Sequence, residues 1–97
     1  MHNVALLAIL EAKAGKQEKL AAFLKSALPL AVQEPATVSW FSFRMDSSRF
    51  GIFDTFADES GRTAHLNGDI AKALFARAEE LLASPPQIER PEIPAAK

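Results

Sequence analysis

Residues 37 to 57 read Thr-Val-Ser-Trp-Phe-Ser-Phe-Arg-Met-Asp-Ser-Ser-Arg-Phe-Gly-Ile-Phe-Asp-Thr-Phe-Ala. This stretch holds Phe41, Phe43, Phe50, Phe53 and Phe56 of the chain's seven phenylalanines, together with its one tryptophan, Trp40. Aromatic residues alternate with small or polar ones on both sides of a polar break at Asp46 to Arg49. Successive side chains of a strand point to opposite faces, so the alternation predicts two strands of a hairpin. Closure on Ser47-Ser48 would set Met45 against Phe50, Phe43 against Ile52 and Phe41 against Asp54. One face would then carry Phe41, Phe43, Met45, Phe50, Ile52 and Phe56 around a lone carboxylate, Asp54. The other would carry Val38, Trp40, Ser42, Arg44, Gly51, Phe53 and Thr55. Both faces are too apolar to stand in water. Arg44 and Arg49 flank the tip and are expected to reach solvent or a partner chain.

Working outward, residues 3 to 12 form a continuous apolar run of strand length, the pattern of a central strand covered on both faces. Gly15 marks a turn. From Lys16 to Gln33, Leu20, Phe23, Leu24, Ala27, Leu28 and Ala31 recur at helical spacing, with Lys16, Glu18, Lys19 and Lys25 on the other side. Pro29 lacks the N–H that would bond the Lys25 carbonyl and predicts a kink near Lys25 to Leu28. Glu34-Pro35 ends the helix. Beyond the hairpin, Asp58 suits the N-cap of a second helical region. Asn67-Gly68 splits that region into a short helix near 59 to 66 and a longer one from Asp69 to about Ala83, stopped by Pro85-Pro86. Gln87 to Pro94 is expected as a fourth strand, at a sheet edge because Pro91 and Pro94 cannot donate ladder bonds.

The order strand, helix, strand, strand, helix, strand over residues 1–97 is that of one α+β domain. It predicts the ferredoxin-like βαββαβ arrangement, a four-stranded antiparallel sheet with the helices on one face. Strands apolar on both faces, with helices over only one of them, leave a face that a second copy would close. A homodimer packed sheet to sheet, a dimeric α/β barrel, is the expected solution.

Composition excludes several classes. A formal charge of −1 gives no basic footprint for nucleic acid or anionic membrane. Arg49 to Phe56 matches an RNA-recognition signature at Arg49, Phe53 and Phe56 alone, which is too little to support RNA binding. With no cysteine and two histidines, thiolate metal sites, disulfides and a cysteine nucleophile are excluded and a structural zinc site is disfavoured. The run Val4 to Leu10 is too short to span a bilayer and has neither a basic leader nor a cleavage signature, so a cytoplasmic protein is expected.

The first strand ending in Glu11-Ala12-Lys13-Ala14-Gly15-Lys16, the helix with Ala27-Leu28-Pro29-Leu30, then Trp40-Phe41, Phe50-Gly51-Ile52-Phe53-Asp54 and Ala64-His65-Leu66 resemble the antibiotic biosynthesis monooxygenase family of dimeric α/β barrels. The resemblance covers nearly the whole chain. It implies oxidation of a phenolic or quinol-type aromatic by O₂ without metal or flavin cofactor, in a pocket between helices and sheet large enough for an aromatic ligand. Some relatives degrade haem, using a His and an Asn. Phe75 and Ala8 fall at the matching positions here, so the haem reading lacks its ligand. The remaining alternative is a non-catalytic binder of small apolar ligands, or an isomerase, on the same scaffold.

Oxygenation without a cofactor needs a substrate made electron-rich by losing a proton, hence a base, an apolar pocket and control of water. His65 is the candidate base, its ordinary pKa lying near working pH. The competing reading is a His on the helix surface or capping a helix end. Asp54 is the candidate partner that fixes the imidazole tautomer; alternatively it is a strand-end charge bonded to backbone or arginine. Trp40, Phe41, Phe43, Phe53, Phe56 and Phe75 could wall an aromatic pocket or simply fill the core. An inward His65 bonded to Asp54 beside a closed cavity would favour catalysis; a solvent-facing His65 over a filled core would favour binding alone. His2 is terminal and needs no role.

Overall fold

The apolar run Val4–Glu11 forms strand β1 at the centre of the sheet, paired along its full length with β3 (Arg49–Phe56). The structure is a computed structural model that describes residues 3–97, so His2 lies outside the described residues. The remaining elements are α1 (Gln17–Val32), β2 (Thr37–Arg44), α2 (Glu59–Leu66), α3 (Asp69–Leu81) and β4 (Gln87–Glu89). The sheet order is β2-β3-β1-β4 with every neighbouring pair antiparallel, the ferredoxin-like α+β fold expected from the sequence. Among the described residues no helix is long and apolar enough to cross a membrane.

Side chains of one sheet face meet the helices. Leu10, Phe50 and Ile52 from the sheet interlock with Leu20, Phe23 and Leu24 of α1 and Leu74 and Leu81 of α3 in one buried cluster. A smaller cluster, Ala27, Ala31 and Ile70, extends it, and Trp40 packs against both. The buried stripe of α1 follows the helical spacing in the sequence, and the helix continues through Pro29 to Val32. Gly15, at φ 81°, makes the turn between β1 and α1 in a backbone region that side chains disfavour. β4 is shorter than the expected Gln87 to Pro94. Beyond Glu89 the tail keeps scattered ties, among them Ala5 N–H donating to the Pro91 carbonyl and Ile93 N–H to that of Asn3, because the prolines interrupt the ladder.

The hairpin closes differently from the expected register. Arg44 pairs with Phe50, Phe43 with Gly51, Ser42 with Ile52, Phe41 with Phe53 and Trp40 with Asp54. Asp46 is the cause. Its carboxylate accepts from the N–H groups of Ser48 and Arg49 and from Arg49 Nε, and Met45 N–H donates to the Arg49 carbonyl, leaving a three-residue loop, 46–48, where a two-residue one was expected. The Arg49 side chain, followed by the two backbone donors, holds the Asp46 carboxyl down at about 2. A one-residue slip moves every side chain of a strand to the other face. Trp40, Ser42 and Arg44 therefore turn toward the helices, while Phe41 and Phe43 join Phe53, Leu7 and Ile9 on the open face. Both hairpin arginines reach solvent, as expected, while bonding within the chain: Arg44 lies over the Phe50 ring and bonds Glu18, and Arg49 pairs with Asp46.

Candidate functional site

The site is built where β3 passes beneath α2. Asp54 lies between Leu6 of β1 and Trp40 of β2 on the helix-facing side, and it is 1% exposed. His65 sits in the last turn of α2 and is buried as well. Two contacts aim that helix. Asp58 caps its start by accepting from Gly61 N–H at 3.0 Å. One turn before His65, the buried Arg62 donates to the carbonyls of Ala5 and Pro91, and so ties α2 to β1 and the tail. The Phe56 ring, 5.4 Å from the imidazole between centroids, supports the ring from the sheet.

His65 is gripped from both sides. Its Nε2 stands 2.8 Å from Asp54 Oδ2 and its Nδ1 2.6 Å from Glu34 Oε1. A ring facing two carboxylates must carry a proton on each nitrogen to donate to both, so the charged imidazolium fits this site. Burial disfavours that charge, but the Asp54 and Glu34 carboxylates together outweigh it and raise the His65 pKa above its ordinary value. The two carboxylates lie on opposite sides of the ring and do not converge on a point a metal could occupy. The Asp54 contact is a close ion pair without ideal hydrogen-bond alignment, and Oδ1 has no hydrogen-bond partner among the described residues. Trp40 Nε1 is likewise buried with no hydrogen-bond partner among the described residues.

Asp54 and His65 form the polar end of an otherwise apolar cavity between sheet and helices. Leu6 and Ala8 of β1, Ile52 of β3 and Ile88 of β4 give the floor; Leu66 of α2 and Ile70, Ala71, Leu74 and Phe75 of α3 give the roof. The cavity's volume is about 40 Å³, room for a few waters but less than the aromatic-sized pocket the sequence resemblance implied. Phe75 stands at its rim, half exposed.

Of the residues singled out in the sequence, the structure brings together His65, Asp54 and Phe75, with Phe56 behind the imidazole and Trp40 beside Asp54. Phe41, Phe43 and Phe53 are excluded from the cavity: the hairpin register turns Phe41 and Phe43 to the opposite face of the sheet, and Phe53, next to Asp54 in β3, points there by strand alternation. Glu34 was missed. It was read only as a helix end before Pro35, and its partner is 31 residues away in the chain, beyond the reach of any local pattern.

With this geometry in view, comparison with known proteins is informative. A crystal structure of NE2512, a protein of unknown function from Nitrosomonas europaea, is 57% identical, with 100% of this chain and 94% of that one covered at a TM-score of 0.98. This chain belongs to the NE2512 family. No protein-family model matches it, and no curated protein does. The NE2512 fold recurs in more distant structures. A candidate antibiotic biosynthesis monooxygenase from Nitrosomonas europaea is 13% identical with a TM-score of 0.85, covering 95% of this chain and 99% of its own. Another, from Chloroflexus aurantiacus, is 16% identical with a TM-score of 0.76, covering 98% and 96%. The NE2512 family therefore has the fold of these monooxygenase-like proteins.

Proposed function

We propose that this protein is a cofactor-independent monooxygenase that oxidises a small phenolic or quinol-type aromatic with O₂, acting as a homodimer closed through its open sheet face. The observation that carries the reading is Asp54: a carboxylate 1% exposed, set in an apolar cavity, with Oδ2 2.8 Å from the His65 imidazole and Oδ1 without a hydrogen-bond partner among the described residues. A buried acceptor with a free lone pair is costly to keep unless something donates to it. A phenolic hydroxyl would do so. The fold shared with candidate monooxygenases supports the same reaction class.

In this reading Asp54 Oδ1 takes the hydroxyl proton in place of His65, the base expected from the sequence, whose two ring nitrogens both face carboxylates; the positive His65 behind it offsets the charge the substrate acquires. The electron-rich phenolate gives electrons to O₂ and a C–O bond forms at a ring carbon. Asp54 returns its proton to the peroxide and then accepts the proton of that ring C–H. The O–O bond breaks, the carbon becomes a carbonyl, and the departing hydroxide takes the proton from Asp54 and leaves as water. One phenol and one O₂ thus give one quinone and one water. The substrate supplies all four electrons, so no further reductant is needed. The apolar lining excludes solvent that would quench the phenolate. At about 40 Å³ the cavity must widen to admit the substrate, and the half-exposed Phe75 at its rim is the side chain placed to move.

The homodimer is supported by the open face, where Phe41 is 59% exposed in a row with Phe43 and Phe53. A contiguous apolar sheet face of this kind calls for cover, and a self-complementary twofold contact supplies it without another component.

A second reading, an isomerase on this scaffold, is favoured by the same Asp54–His65 pair, since moving a proton between two atoms of a substrate needs no oxygen. Oxygen-electrode measurements with a panel of quinols, naphthols and substituted phenols separate the two. Oxygen uptake that falls about 10²- to 10⁴-fold in Asp54→Asn supports the monooxygenase. Absence of uptake with every compound, together with Asp54-dependent exchange of substrate hydrogen in D₂O, replaces it with the isomerase.

A further inference from the structure

We propose that Glu34 is a positioning residue for the Asp54–His65 pair, acting through the imidazole to fix its ring plane and hold its charge without touching the substrate. The inference rests on the reading of that pair as the proton acceptor. Glu34 lies on the far side of His65 from the cavity. It lines a separate groove with Thr37, Gly61, Ala64, Gly68 and Asp69, where it is partly open to water.

The carboxylate is seated in a built position. Glu34 N–H donates to the Ala31 carbonyl at 3.1 Å, the Glu34 carbonyl accepts from Thr37 N–H at 3.3 Å, and Pro35 restricts the backbone of the residue before it. Oε1 accepts from Thr37 Oγ1 at 2.8 Å while it faces His65 Nδ1 at 2.6 Å. Oε2 rests so near Gly68 that a Cβ there would come within 3.1 Å, so the glycine leaves room for the carboxylate. A surface glutamate meeting a helix by chance has no need of three such constraints.

The chemistry is set by burial. Burial disfavours the charge on this imidazole, and each of its two carboxylates supports it, so removing either weakens that support. Asp54 approaches from β3 and Glu34 from the segment joining α1 to β2. Asp69 of α3 borders the same groove, and Arg62 on α2 is engaged by Glu59. With Glu34 on Nδ1, the ring donates through Nε2 toward Asp54 Oδ2, which leaves Oδ1 to receive a proton.

Nitrogen-15 NMR of the imidazole tests this directly, with the His65 signals identified by their loss in His65→Gln. In the wild-type protein at pH 6, below the ordinary imidazole value, both ring nitrogens should carry protons. A wild-type ring with bare Nδ1 under those conditions overturns the proposal, whether or not any variant folds. In Glu34→Gln the His65 titration midpoint should move to lower pH, and Glu34→Asp should recover part of the shift. An unmoved midpoint in folded Glu34→Gln also overturns it. Where turnover is observed, Glu34→Gln should lower kcat about tenfold with little change in KM and should displace the limb of the pH profile with the midpoint. The titration is read without turnover, so a failed oxygenase assay and a failed role for Glu34 are distinguishable.

Discussion

Trp40 stands directly across the β2–β3 ladder from Asp54, and each buries a polar atom with no hydrogen-bond partner among the described residues, Nε1 of the indole and Oδ1 of the carboxylate. Directly opposed side chains begin about 4.5–5.5 Å apart at Cβ. Trp40 is the chain's one tryptophan, so its emission reports on this spot alone. Titration with a small non-fluorescent phenol should change Trp40 emission saturably. The corresponding methyl ether, which cannot donate to Asp54, should bind at least about tenfold more weakly, the equivalent of one hydrogen bond of about 1.4 kcal/mol. Equal affinity for phenol and ether would remove Asp54 from recognition.

Removing the carboxylate tests its structural share. A buried ion stripped of every partner costs about 3–5 kcal/mol, but after Asp54→Ala the imidazole keeps Glu34. We expect a loss of about 1–3 kcal/mol in urea unfolding, the scale of one lost buried polar partner. A larger loss would mean that Glu34 does not hold the ring by itself.

Stability should also depend on pH through His65. Its folded pKa is raised, so its contribution is full below the unfolded value near 6.5 and is lost as pH climbs through the raised folded value. The urea midpoint of the wild type should fall across that alkaline-side window. His65→Gln should be less stable at pH 6 and show a flatter profile over the same range. A wild-type midpoint that rises there would contradict the carboxylate–imidazolium arrangement.

On the open face, the Phe43 ring covers Gly51 so closely that a Cβ at that glycine would lie 2.3 Å from a ring carbon. Gly51→Ala must push the ring outward, at about 1–3 kcal/mol for overpacking. If this face is the dimer contact, the displaced ring should also weaken self-association. Sedimentation at micromolar concentration should find the wild type dimeric, Gly51→Ala weakened and Phe41→Asp monomeric. A monomeric wild type would leave the open face without its proposed cover.

The sequence carried most of the architecture because its signals were local: a helical stripe in α1, the Asp58 cap, the Asn67-Gly68 break and the prolines of the tail. It went astray where one side chain decided the geometry. Asp46 gathers two backbone donors and Arg49, and that single capture lengthens the loop by one residue and exchanges the faces of β2. Asp54 and His65 could be singled out as unusual residues on apolar surroundings. Glu34 could not, since its role exists only once α1 ends beside α2, and nothing in Glu34-Pro35 announces that meeting.

Arg62 fastens α2 to the carbonyls of Ala5 and Pro91, one on the central strand and one on the tail. The helix that carries His65 is thus clamped at its middle and capped at its start, whereas α3 begins after Gly68 with no side-chain cap. The cavity accordingly has one wall, α2, tied by side chains at its start and middle, and another, α3, held by the packing of Ile70 and Leu74. If Asp54 and His65 act as proposed, exchanging Ile70, Leu74 and Phe75 among relatives would retune what the cavity admits while that pair stays in place, separating the evolution of specificity from that of reactivity.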